Sequence, residues 1–387
     1  MNAITLFLPI LVVALCACSP EADLAIRNVR LFDGDTTREG VTMYLKDQKI
    51  DQITTGPPFR KARQEINARG KTIIPGLINA HVHLAGRELL SETLSSGVLT
   101  VLDLFGTAEK AQRLRRVGQT PRYSYYYASG PGATVSGGHG TQYGVPVPTV
   151  DHPQQAAQFV EDRVAEQADY IKIIVEAGTP VLPLPTLSDS TVKLLVAEAQ
   201  KRGKKAVVHV STKADALRAG AVGASGIAHM WSRGDLAMTP QELRVFSMRP
   251  FFVIATLLVL SKASIHYPTL VTLPLSTIKS EIRRLHDAGV KVLAGTDCPN
   301  LGINCSDDLL EEMLLLEQCG LPPVEVIKAA TSYPATCFGL PQGGFVREGR
   351  SADFLLIDGN PTKDLADIRR IERIWKAGAE VAHRNNR

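Results

Sequence analysis

Hydrophobic and polar positions change rhythm twice along this chain, and the changes divide it. Over 24–32, and again over 41–53 with a polar turn at Lys46-Asp47-Gln48-Lys49, apolar and polar side chains roughly alternate. A period of two marks strands with one buried face, so this region is predicted to be rich in β-hairpins. The rhythm returns only near the other end, where 352–357 and 371–375 read as strands separated by Asp358-Gly359-Asn360-Pro361. The two ends, 19–75 and 341–387, are therefore expected to pair into one small β-sandwich. A larger domain, 76–340, would be inserted between them.

Within the insert, short apolar runs alternate with amphipathic stretches, the pattern of parallel βαβ units. Strands are predicted at 77–83, 98–104, 123–128, 170–175, 206–210, 226–230, 251–258 and 290–295. Helical periodicity falls at 154–167, 188–202, 239–247 and 275–288, and three more helices are expected after the eighth strand. Eight parallel strands with helices between them argue for the α/β class and a (β/α)8 TIM barrel, whose chemistry sits at the C-terminal ends of the strands.

The first eighteen residues stand apart from this folding pattern. Residues 4–17 are uncharged and apolar, long enough for the core of a signal peptide and short for a bilayer span. The stretch ends at Leu15-Cys16-Ala17-Cys18, which resembles the bacterial lipoprotein box, with Cys18 as the lipidated residue. That resemblance implies export, and Ser19 in the following position implies an outer-membrane lipoprotein facing the periplasm. The membrane would be met only through this anchor.

Apolar residues make up 44% of the chain and charged ones 21%, which excludes a disordered chain. A net charge of +4 gives no case for nucleic acid, and the basic runs at 60–63 and 113–116 have no aromatic platform beside them, so they read as solvated surface. The expected partner is a small-molecule substrate, with room left for a homo-oligomer. Among the remaining cysteines, Cys298 and Cys305 are close enough in sequence for a bridge in an oxidising compartment, and buried thiols are the alternative.

The candidate chemistry is centred on Gly76-Leu77-Ile78-Asn79-Ala80-His81-Val82-His83-Leu84. Residues i and i+2 of a strand share a face, so His81 and His83 present two imidazoles side by side. Other candidate ligands fall near predicted strand ends: Lys172 in the fourth, His209 ending the fifth, His229 in the sixth, and Asp297 after the eighth. Lys172 is flanked by large apolar residues, and a lysine buried there would have a depressed pKa. A neutral amine of that kind can take up carbon dioxide as a carbamate, an anion able to bridge two cations. Each residue alone has an ordinary reading: a snorkelling lysine, a core histidine, a capping aspartate. Their order along the strands argues against so many coincidences, and the mix of nitrogen and oxygen ligands suits zinc or a neighbouring divalent ion.

The chain here resembles the amidohydrolase superfamily from about residue 24 onward. The matching pieces are the Pro75 to His83 segment, Lys172, His209, Ile227-Ala228-His229, Gly295-Thr296-Asp297, and a tail from Ala329-Ala330-Thr331 through Gly349-Arg350-Ser351-Ala352-Asp353 to Asp358-Gly359-Asn360-Pro361. Ser136-Gly137-Gly138-His139-Gly140 looks like a loop of the binuclear Xaa-Pro dipeptidase and imidazolonepropionase-like group. The resemblance implies two divalent ions, zinc by expectation. His81, His83 and Asp297 would hold the more buried ion and His209 and His229 the more exposed one, with carbamylated Lys172 and a hydroxide between them. It implies further that Asp297 acts as proton shuttle and that His139 donates to the substrate or contacts it. The expected reaction opens an amide or other C–N bond, in a dipeptide, an N-acyl amino acid or a cyclic amide. The rival readings are a lactonase or esterase on the same site and a non-catalytic binding lipoprotein. Two departures alter the surroundings of the ligands: His209-Val210-Ser211-Thr212 replaces the relatives' His-Ala-x-Gly, and Leu309-Leu310-Glu311-Glu312 replaces Leu-His-x-Glu.

Overall fold

The computed structural model describes residues 21–56, 60–144, 146–234 and 237–383. The expected signal segment and its Cys18 lie outside the described residues. The N-terminal strands Ala22–Phe32, Thr37–Lys46 and Lys49–Thr55 form an antiparallel meander. Leu24 and Ile26 face the core, and after an irregularity at Asn28, which has φ 60°, the parity shifts so that Val29 and Leu31 face it. An extra residue in one strand does this by moving every later side chain to the other face.

Both ends of the chain meet in one sheet. Phe354–Asp358 runs antiparallel to Lys71–Pro75 on one side and to Ile371–Lys376 on the other, so eight strands from the two ends share a single sandwich-like sheet. Its core includes Ile73, Phe354, Leu356 and Trp375, with the Phe354 and Trp375 rings stacked 4.7 Å apart.

Between these ends the parallel strands are Leu77–Val82, Val98–Asp103, Tyr125–Ala128, Ile171–Ile174, Ala206–His209, Gly226–Ala228, Phe252–Ile254 and Lys291–Leu293. They form one sheet of three and one of five. Isolated bridges link the edges: Ala133 pairs with Ile173 at one seam, and Val82 with Cys298 at the other. Side chains from seven of these strands, among them Ile78, Leu102, Tyr127, Val207, Ala228, Ile254 and Leu293, make one buried cluster with Tyr170, which lies just ahead of the fourth strand. A second, larger cluster lies between the strands and the helices outside them.

Some of the helices start at side-chain caps. The Ser188 hydroxyl accepts from the Thr191 amide ahead of Asp189–Lys201, and Thr239 with Glu242 makes a capping box ahead of Pro240–Ser247. The seventh strand departs from expectation. It ends at Ile254, and helix Leu257–His266 takes up the rest of the apolar run, because Thr256 adopts φ 48° and breaks the extended chain. Of the two readings left open for the cysteines, Cys298 and Cys305 are bridged, with Cα atoms 5.2 Å apart, while Cys319 and Cys337 are free.

Candidate metal centre

The first and eighth strands build the middle of the site. Gly295 lies against His81 so closely that a Cβ there would fall 2.9 Å from the His81 backbone nitrogen. Only glycine permits that approach. It lets the Asp297 amide donate to the His81 carbonyl at 2.8 Å. Buried Asn79 fixes the same seam, since its Oδ1 accepts from Thr296 N at 3.1 Å and its Nδ2 donates to Thr296 Oγ1 at 2.9 Å.

Three ligand atoms converge as a result. His81 Nε2 and His83 Nε2 are 3.2 Å apart, and Asp297 Oδ1 lies 3.3 Å from the first and 2.9 Å from the second. Donors about 2.0–2.1 Å from a central ion in a tetrahedral site are separated by about 3.3 Å, so the triangle has the dimensions of a divalent-metal face. Protons cannot satisfy all three contacts at once, whereas one cation can. Burial holds the His81 imidazole well below its ordinary pKa, which keeps it neutral and able to ligate. Burial alone would raise the Asp297 carboxyl, but His81, His83 and His229 outweigh it and keep the group well below the usual carboxylate range. Burial would likewise lower His83, yet Asp103 and Asp297 pull it up to about 9.

The other predicted ligands adjoin this triangle. The His229 ring lies 4.7 Å from that of His81 and 4.7 Å from that of His209. His209 Nε2 is buried without a hydrogen-bond partner, and since buried polar atoms are rarely left so, it marks a place for an electrophile. Lys172 is buried in the fourth strand and couples electrostatically to His81, His209, His229 and Asp297. Burial pushes its ammonium down to about 7, so a large share is the free amine at neutral pH. His81 is fully buried, whereas His83, His209 and His229 are partly open. Among the described residues, His81, His83 and Asp297 bring their ligand atoms close enough together to hold one divalent ion.

His139 belongs to the same neighbourhood. Its ring stacks on His209 at 5.1 Å, and its Nε2 lies 3.3 Å from the Tyr143 hydroxyl. Burial, helped by His209, lowers it to about 4, so it is a neutral imidazole at physiological pH. Tyr143 in turn stands edge-on to Phe105 at 6.1 Å.

Several residues here escaped the sequence reading. Glu176 follows the fourth strand and accepts from Arg233 at 2.5 Å, from Gly178 N at 2.6 Å and from the Ser211 hydroxyl, while its Oε2 lies 3.6 Å from His209 Nε2. Burial would raise it, but His209, Ser211 and Arg233 together hold it well below the usual carboxylate range. Asp103, at the end of the second strand, lies 3.8 Å from His83 Nδ1 and accepts from Lys110 at 3.1 Å and Tyr126 at 2.7 Å. Both were legible only as polar residues at strand ends, because their partners are remote in sequence.

Histidines and carboxylates gathered at the C-terminal ends of parallel strands are the equipment of a metal-dependent hydrolase. The chain belongs to the amidohydrolase family, whose sequence model matches residues 72–381. Imidazolonepropionase of Deinococcus deserti is 34% identical over 29% of this chain and 29% of its own length. Ochratoxinase of Aspergillus niger is 23% identical over 80% of this chain and 75% of its own. Among solved structures, a Xaa-Pro dipeptidase with methionine in its active site superposes with a TM-score of 0.78 at 21% identity, covering 92% of this chain and 99% of that one. At that identity the likeness is one of fold.

Proposed function

We propose that this protein is a binuclear, metal-dependent amidohydrolase that cleaves an amide or other C–N bond in a dipeptide, an N-acyl amino acid or a cyclic amide. The observation that carries the reading is the convergence of His81 Nε2, His83 Nε2 and Asp297 Oδ1 beside His229, His209 and Lys172. The eight parallel strands act as a (β/α)8 barrel, which puts these groups on one rim. His81, His83 and Asp297 would hold one ion and His209 and His229 a second, and Lys172, as its carbamate, would supply a further anionic ligand. Bound zinc ions would supply a water of lowered pKa and a Lewis acid for the substrate carbonyl.

The chain's own groups do the rest. Asp297 turns Oδ1 toward both imidazoles, which leaves Oδ2 to take the proton from the attacking water. As the water oxygen bonds to the carbonyl carbon and the C–N bond breaks, Asp297 returns that proton to the departing amine. His139, neutral and stacked on His209, faces the substrate and donates to its carbonyl oxygen. Export and anchoring through Cys18 belong to the same proposal, supported by the sequence of residues 4–18 and by a bridge between Cys298 and Cys305 of the kind oxidising compartments favour.

The test is a screen of zinc-loaded protein against dipeptides, N-acyl amino acids and lactones. Turnover of amides above lactones supports the reading. Hydrolysis of lactones alone would replace it with an esterase on the same site, and no turnover of any class would count against catalysis.

A further inference from the structure

The sixth, seventh and eighth strands each give way to a non-glycine residue with positive φ: His229 at 70°, Thr256 at 48° and Asp297 at 60°. Such backbones are costly for side-chain-bearing residues, most of all for a β-branched one, and they persist where function holds them. The first and third are ligands in the reading above. Thr256 is not, yet it is fully buried and its Oγ1 lies 2.9 Å from His229 Nδ1.

Thr256 also stands at the N-cap of helix Leu257–His266, where a threonine hydroxyl ordinarily accepts from the first-turn amides. It makes no such bond. Glu312, wholly buried on helix Asp308–Gln318, does that work instead, accepting from Leu257 N at 2.9 Å and Leu258 N at 2.7 Å. The cap has been handed to a distant carboxyl group, and the hydroxyl is thereby released toward the imidazole.

We propose that Thr256 is a positioning residue for His229, fixing its ring and keeping Nε2 free as the ligating nitrogen, and that Glu312 holds the turn that makes this possible. The inference rests on the metal-centre reading. A histidine ligand is oriented by whatever its other nitrogen bonds, and loss of that partner costs about 10- to 100-fold in metal affinity or activity.

The test compares wild type with Thr256→Val, Thr256→Ser and Glu312→Gln. Metal-free protein is titrated with zinc against a chelator, and imidazole nitrogen resonances of the same metal-free samples are recorded, with His229 assigned by its loss in His229→Gln. Thr256→Val should weaken one of two zinc equivalents by about 10- to 100-fold and scramble the His229 tautomer, while Thr256→Ser retains both. Glu312→Gln should weaken the same equivalent. A folded Thr256→Val with unchanged zinc affinity and unchanged His229 resonances overturns the role of Thr256 and leaves the metal centre standing. If Thr256→Val does not fold, undiminished affinity in Glu312→Gln overturns it. Wild-type protein that takes up no zinc defeats the functional reading itself.

Discussion

Gly295→Ala puts the geometry of the site under the most direct strain. The new Cβ would lie 2.6 Å from Ile254 Cγ2 and 2.9 Å from both the Cβ and the backbone nitrogen of His81. Ile254 can shift its methyl, but the His81 nitrogen belongs to a strand and cannot. The eighth strand must therefore back away from the first by several tenths of an ångström. Overpacking of this kind costs about 1–3 kcal/mol, and the movement draws Asp297 away from the His81 carbonyl it meets at 2.8 Å. The same displacement opens the triangle of His81, His83 and Asp297, where a misplacement of about 1 Å is worth about 100-fold in rate. Urea unfolding of the two proteins and kcat/KM on whichever substrate the screen identifies would measure both effects. We expect a stability loss of about 1–3 kcal/mol with a rate loss of about 10-fold, rising toward about 100-fold only if the shift approaches about 1 Å. A variant within about twofold of wild type in kcat/KM would refute the claim that this close approach sets the ligand triangle.

Three further outcomes follow from single residues. Lys172→Ala should lower the metal content below two ions, with short carboxylic acids partly restoring activity; two retained ions would refute the bridging role. Glu312 is pushed up to about 8 by burial against the pull of the Leu257 and Leu258 amides, so the folded state favours its protonated form. The stability linked to it is full below about 4.5 and is lost as pH rises through about 8, a slope that urea titrations should find in wild type and not in Glu312→Gln. Cys18→Ser should move the protein from the membrane to the soluble fraction after cell fractionation, and persistent membrane association would contradict lipidation.

Much of the architecture was legible because it is periodic. Alternation marked 24–32 and 41–53, and eight apolar runs marked the parallel strands to within a few residues. Periodicity failed at the seventh, since an apolar run such as Phe251 to Leu258 suits a strand or a buried helix equally. Thr256 decided between them through a backbone conformation that its identity does not announce. In the site, His81, His83, Lys172, His209, His229 and Asp297 were visible as chemically unusual residues at strand ends, and the structure brings them into one neighbourhood. Their supports were not visible. Asn79 reaches Thr296, Glu176 reaches Arg233, and Glu312 reaches Leu257 across long stretches of chain, and such pairings exist only once the fold has formed.

Metal stoichiometry measured by elemental analysis, on purified wild type and on His81→Ala and Asp297→Ala, tests the central claim most directly. The account requires about two divalent ions per chain in wild type, and fewer in both variants, which should stay folded by circular dichroism and show no turnover. Wild-type protein without metal, or variants that keep both ions and full activity, would contradict it.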